Sequence, residues 1–225
     1  MNDTPAAYLF DMDGLLLDSE RVYRQVLIDL LVPQGHALAE IEELFLRLVG
    51  NSGARSRAIL GTVLNGDVTD FDTQWHKGVR EALTKRIRLR PTVEKTLSTL
   101  ARAGARMAVV TSTHGAAARQ HLANARLLHH FEHVVAGDEV PANKPDPAPY
   151  LQAANALRLD PSHCAAFEDS DAGITSAMMA GCRGVQIPDL RPNTVPLPDL
   201  GQHVAPDLWT GVETVQGRGP KARTA

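Results

Sequence analysis

Ala7-Tyr8-Leu9-Phe10-Asp11-Met12-Asp13-Gly14 is a short apolar run that stops at two acids and a glycine. A brief run of this kind, bounded by polar or glycine residues, is the pattern of a strand buried on both faces of a parallel sheet. The same grammar recurs at 106–110, which ends at Thr111, and at 133–136, 164–167 and 184–187. Between these runs lie helical patterns at 93–103, 115–126, 147–157 and 171–180, with Gly104 and Gly181 placed to stop the first and the last. Strand and helix alternating from position 88 onward predict a doubly wound α/β sheet, a Rossmann-like core.

Residues 15–87 break the alternation. Apolar spacing there predicts helices at 20–31, 38–49, 54–64 and 72–85, so a helical cap is inserted after the first strand. The core is then 1–14 with 88–225, the cap is 15–87, and 216–225 is expected to be a disordered tail. The Pro-rich stretch 188–198 reads as an extended surface loop. A cap over the carboxyl edge of a parallel sheet is where α/β enzymes bind ligands and exclude water.

Composition excludes several function classes. Charged residues are 22% of the 225-residue chain and the net charge is only −3, with no basic stripe or interleaved aromatics for nucleic acid. No apolar run reaches the length of a membrane span and the start lacks the pattern of a signal peptide. Two cysteines, Cys164 and Cys182, are too few for a disulfide framework and read as buried thiols of a reduced, cytoplasmic protein. The expected protein is a monomer or weak dimer.

Chemistry gathers at the strand ends. Asp11 and Asp13, Thr111, the Lys144 loop and the Glu168-Asp169 pair all follow predicted strands, and in a parallel sheet such loops converge on one edge. Carboxylates meeting there need a cation, and all-oxygen ligation with open positions suits Mg²⁺. Lys144 and the Thr111 hydroxyl add positive charge and a donor for phosphoryl oxygens.

Asp11-Met12-Asp13-Gly14, Thr111, Lys144-Pro145-Asp146 and Glu168-Asp169-Ser170, in this order, resemble the four motifs of the haloacid dehalogenase-like (HAD) superfamily. The phrase FDMDGLLLDSE resembles the branch that holds beta-phosphoglucomutase and the sugar-phosphate phosphatases. The resemblance implies Asp11 as nucleophile, forming an aspartyl-phosphate, and Asp13 as general acid and then base. It implies Asp11, the carbonyl of Asp13, Asp169 and Glu168 around the metal, Glu168 through water or sharing the role. It implies Thr111 and Lys144 on the phosphoryl oxygens, with Ser112 offering its backbone N–H.

In the cap, Tyr23, Asn51 and Arg55 are expected to touch the leaving group, with Arg21, Trp75, His76 and Lys77 as further candidates. His114 follows the second motif and is a candidate phosphate contact. Tyr23 stands where a mutase of this branch would carry His, and Thr92 where its relatives carry Gly. The reading is therefore a Mg²⁺-dependent phosphatase acting on a small-molecule phosphate ester, a sugar or sugar-alcohol monophosphate. Alternatives are a phosphomutase, a metal-free dehalogenase and a phospho-accepting signalling module. His129, His130 and His133 read as a solvated loop, and Arg86, Arg88 and Arg90 as a solvated hinge edge.

Overall fold

The computed structural model of the chain describes residues 4–49, 53–64, 67–85, 87–191 and 194–218. Strands β1 (Ala7–Phe10), β2 (Arg106–Val110), β3 (His133–Val135), β4 (Cys164–Glu168), β5 (Arg183–Gln186) and β6 (His203–Val204) form one sheet. Their order is β3-β2-β1-β4-β5-β6 and every pairing is parallel. The chain moves outward from β1 to β2 and β3, then returns to the other side of β1 as β4. That reversal opens a crevice at the carboxyl ends of β1, β2 and β4.

Alternation along the strands divides the core in two. Tyr8, Phe10, Met107, Val109 and Phe167 point to one face, against α5 (Val93–Arg102), α6 (Gly115–Asn124) and α9 (Leu208–Val215). Leu9, Ala108, Val110, Cys164 and Ala166 point to the other, against α7 (Ala148–Ala156) and α8 (Asp171–Met179). Phe10 and Phe167 stack across adjacent strands with ring centroids 5.2 Å apart. A sheet covered on both faces explains why its strands read as unbroken apolar runs.

Between β1 and α5 the chain forms α1 (Ser19–Leu31), α2 (Leu38–Leu48), α3 (Gly53–Val63) and α4 (Thr69–Lys85). Their apolar faces, including Leu27, Phe45, Leu60 and Val79, are buried together. The two chain crossings into this helical unit run side by side. Leu17 and Leu89 form an antiparallel bridge, and Asp18 N–H donates to Arg88 O at 2.9 Å.

Two elements lie beyond the sequence expectation. The strand β6 is only two residues long, too short for a periodicity signal, and α9 follows it where no helix was anticipated. Gln216 to Arg218 close α9 in hydrogen-bonded turns, the Arg218 N–H donating to Glu213 O at 2.8 Å. The remaining expected tail, 219–225, lies outside the described residues. The 188–198 loop is tied down where it is described. Arg191 reaches Asp171 at 2.7 Å as well as the carbonyls of Val195 and Pro196. Arg90 is not a solvated hinge residue: it pairs with the buried Asp189 of that loop at 2.9 Å. Arg86 lies outside the described residues.

Thr92 takes a left-handed conformation, φ +66°, which costs a β-branched residue on the order of 1–2 kcal/mol. Its hydroxyl offsets that by accepting from Trp209 N–H at 3.1 Å and reaching Asp207 Oδ1 at 3.4 Å, which ties α5 to the start of α9. Cys164 and Cys182 are both buried free thiols. Burial pushes them up to about 11 and about 12 respectively, so both stay protonated and unreactive at neutral pH. Among the described residues no helix is long and apolar enough to cross a membrane.

Candidate active site

Asp11 is the first residue beyond β1, and its N–H still donates to Phe167 O at 3.0 Å, so the sheet itself fixes where its side chain starts. Thr111 is held the same way beyond β2, donating to Val135 O at 2.9 Å. Glu168 ends β4 and is fully buried. These strand ends bring together residues separated by more than half the chain.

Lys144 sits at their centre. Its ammonium donates to Asp11 Oδ1 at 2.5 Å and Val110 O at 2.8 Å, and lies 2.6 Å from Glu168 Oε1. All three N–H donors therefore have acceptors. Burial works against the charged ammonium, but the Asp11 and Glu168 carboxylates outweigh it and hold Lys144 above the ordinary lysine range. Tyr150, buried on α7, donates its hydroxyl to the same Glu168 oxygen at 2.6 Å. Glu168 is thus shared by a lysine and a tyrosine.

Asp11, Glu168 and Asp169 each bring a carboxylate oxygen to within 4.8 Å of the others, the one such convergence of three ligating side chains among the described residues. Asp11 Oδ2 is buried without a hydrogen-bond partner. Burial raises the pKa of both Asp11 and Asp169 well above the usual carboxylate range. Lys144 opposes the rise at both; Glu168 adds to it at both. An orphaned buried oxygen among converging carboxylates is a donor set that fits a divalent cation. Gly14, at φ +84°, makes room for this: a Cβ there would stand 2.2 Å from Asp169 Oδ2. The side chain of Asp13 lies outside the converging group and accepts from Thr113 Oγ1 at 2.7 Å. Histidines 129, 130 and 133 do not form such a convergence among the described residues.

Over this edge stands a cleft of about 640 Å³. Asp11, Asp13, Thr111, Ser112, Lys144 and Asp169 line its floor. From the cap, Glu20 and Tyr23 of α1 line it, with Phe45 and Leu48 of α2, Arg55 of α3 and His76 of α4. Tyr23 packs edge-on against Trp75 and His76, with ring centroids 5.8 and 6.1 Å away. Trp75 is almost wholly buried and donates Nε1–H to Tyr23 O at 2.9 Å, so it supports the wall and offers little surface of its own.

Several sequence candidates do not reach the cleft. His114 is 78% exposed and its Nδ1 lies 2.8 Å from Asp138 Oδ2. The same carboxylate accepts from Gly115 N–H at 2.7 Å, so His114 is drawn to the acid that caps α6 and away from a phosphate. Arg21 turns to Asp18 and Asp189, at 2.5 and 3.2 Å. Lys77 faces solvent beside Glu81. Asn51 lies outside the described residues.

Conversely, Glu20, Thr113, Asn143 and Tyr150 were not anticipated. Glu20 precedes Tyr23 by three residues and so shares its helix face, a signal present in the sequence. Burial, with Asp13 and Asp189 nearby, raises Glu20 to about 7. Tyr150 stands at the head of the buried α7 stripe with Ala153, Ala154 and Leu157, where periodicity marks core and says nothing of a hydroxyl.

The model of the haloacid dehalogenase-like hydrolase family matches residues 5–181. Fructose-1-phosphate phosphatase YqaB of Escherichia coli is 30% identical over 192 residues, covering 83% of this chain and 98% of that protein. A phosphorylated carbohydrates phosphatase of Thermotoga maritima is 29% identical over 177 residues, covering 78% and 81%. A crystal structure of a HAD family hydrolase from Deinococcus radiodurans shares the fold with a TM-score of 0.77 at 24% identity, covering 99% of this chain and 100% of that one. The phosphatase names of the two sequence relatives support a phosphoric monoester hydrolase. With its four motifs gathered on one sheet edge beneath a helical insertion, the chain belongs to the haloacid dehalogenase-like hydrolase family.

Proposed function

We propose that this chain is a Mg²⁺-dependent phosphatase that moves the phosphoryl group of a sugar or sugar-alcohol monophosphate onto Asp11 and then to water. The observation that carries the reading is the state of Asp11: one carboxylate oxygen is held by Lys144, and the other is buried beside the cleft without a partner. The unpartnered oxygen is the one free to ligate a cation, and a carboxylate nucleophile attacking phosphorus yields a labile acyl phosphate. Residues 15–87 act as the cap and 1–14 with 88–225 as the catalytic core.

Asp11 and Asp169 would hold the cation, with Glu168 beside them and Asp13 contributing its carbonyl. When bound, Mg²⁺ screens these carboxylates from one another and draws charge from the phosphoryl oxygens. Lys144 keeps Asp11 oriented and adds positive charge at the floor, while the Thr111 hydroxyl and the Ser112 N–H serve as donors to the transferring group. Asp13 protonates the leaving oxygen, then takes a proton from the attacking water. Tyr23 and Arg55 contact the leaving group from above.

Glu20 favours a polyol. A carboxyl group facing the cleft exchanges hydrogen bonds with hydroxyls in either protonation state and, when ionised, repels a carboxylate or a second phosphate. The names of the two sequence relatives, both of phosphorylated carbohydrates, support the same substrate class.

The test is phosphate release from 4-nitrophenyl phosphate, with and without Mg²⁺, for wild type and Asp11→Asn, followed by a panel of sugar, sugar-alcohol and carboxylic-acid monophosphates. Turnover should require Mg²⁺ and fall by roughly 10³-fold or more in Asp11→Asn. Turnover that survives the substitution removes Asp11 as nucleophile. A product that retains its phosphate identifies a mutase, and a long-lived phospho-Asp11 without release identifies a signalling module.

A further inference from the structure

Thr113 lies 100 residues from Asp13 in sequence, yet its hydroxyl meets the Asp13 Oδ2 oxygen at 2.7 Å. The backbone of Thr113 is clamped on both sides. Its N–H donates to Thr111 Oγ1 at 3.1 Å and its carbonyl accepts from Gly137 N–H at 3.1 Å. Gly137 packs so closely on this turn that a Cβ there would stand 2.2 Å from Ser112 O, and Asn143 donates to Gly137 O at 3.0 Å. The loops after β2 and β3 therefore form one rigid support. A β-branched side chain on a fixed backbone has few χ1 rotamers, so the direction of the Thr113 hydroxyl is set by the fold.

A hydroxyl carries one proton to donate. When Thr113 gives it to Oδ2, that oxygen is an acceptor, and an Asp13 that carries a proton carries it on Oδ1. A general acid works only when its proton faces the leaving oxygen. We propose that Thr113 is the positioning residue of the acid–base step, fixing Oδ1 of Asp13 as the oxygen that delivers and recovers the proton.

The inference rests on the reading of Asp13 as general acid. As the bond from Asp11 to phosphorus forms and the phosphorus–oxygen bond to the leaving group breaks, the Oδ1 proton passes to the departing oxygen and Asp13 becomes a carboxylate. That carboxylate then takes a proton from the water whose oxygen attacks phosphorus and displaces Asp11.

The experiment compares phenyl phosphate, whose leaving group needs a proton, with 4-nitrophenyl phosphate, whose leaving group needs little help. Wild type, Thr113→Val, Thr113→Ser and Asp13→Ala are measured with Mg²⁺ present. Thr113→Val should lower kcat/KM, which reports the step that expels the leaving group, about 10-fold more for phenyl phosphate than for 4-nitrophenyl phosphate, and Thr113→Ser should restore the wild-type ratio. A merely structural role would lower both rates alike. If Asp13→Ala is selective for phenyl phosphate and Thr113→Val is not, the Thr113 inference is overturned while the acid reading stands. If Asp13→Ala lowers kcat/KM equally for both substrates, the acid reading falls and the inference with it. Should Thr113→Val fail to fold, Thr113→Ala carries the same comparison.

Discussion

Lys144 is the residue on which the site's charge balance turns, because its ammonium stands within 2.6 Å of two buried carboxylates. Removing one partner of a buried ion pair leaves uncompensated charge, typically costing about 3–5 kcal/mol. Lys144→Met should lose stability of that order in the metal-free protein near pH 8. Without the ammonium, Asp11 loses the charge that opposes its raised pKa and keeps its proton to higher pH. The loss should therefore shrink as the pH falls and the carboxylates become neutral. Chemical denaturation of both proteins at pH 5.5 and 8 checks this; a deficit that does not change with pH would show that Lys144 acts through packing alone.

At the scale of elements, the cap is joined to the core by more than its two chain crossings. Arg21 on α1 reaches Asp189 in the loop beyond β5, and Arg90 beside the second crossing reaches the same carboxylate. The two contacts differ in environment. The Arg21 side chain is 45% exposed and that of Arg90 15%, each against an Asp189 side chain that is 3% exposed. A solvent-exposed partner contributes little, on the order of 0–1 kcal/mol, but truncating the buried acid leaves Arg90 unpaired as well. Asp189→Ala is expected to destabilise by about 3 kcal/mol or more and Arg21→Ala by less than about 1 kcal/mol. Thermal or urea unfolding decides between them; equal losses would contradict this ranking. Thr92 belongs to the same scale, since a strained residue is tolerated where its hydroxyl joins two helices.

For the molecule as a whole, pH and folding are linked, and a bound cation would enter the same balance. Asp11 and Asp169 have raised folded pKa values, and Glu20 is raised from 4.5 to about 7. Between their unfolded and folded values the native state binds more protons than the unfolded chain, so metal-free stability falls as the pH rises through that window. A bound divalent cation requires the ionised carboxylates, so binding releases protons and tightens with pH. Mg²⁺ at about 100 times its Kd should stabilise by roughly 2.7 kcal/mol. At one fixed Mg²⁺ concentration the rise in Tm should be larger at pH 8 than at pH 5.5. A shift independent of pH would remove the buried carboxylates from the metal site.

Strands β1 to β5, the helices between them and the four cap helices were legible in the sequence. Each buries a continuous or periodic apolar face, and the period of that face is local information. Asp11, Thr111 and Glu168 at the strand ends, and the loop that carries Lys144, were legible for a related reason: parallel topology sends such segments to one edge. Other features depended on contacts between distant segments. Nothing near Thr113 announces Asp13, and nothing near Tyr150 or Asp189 announces Glu168 or Arg21. His114 illustrates the reverse case, a residue beside a motif that the Asp138 carboxylate draws out of the site. The sequence by itself therefore determined the sheet, the inserted helices and the one edge to which the acid-bearing loops run, because burial patterns and topology are written along the chain. Only the tertiary structure decided which oxygen each lysine, threonine and tyrosine holds, because a hydrogen bond is fixed by distance and angle between groups that sequence spacing does not bring together.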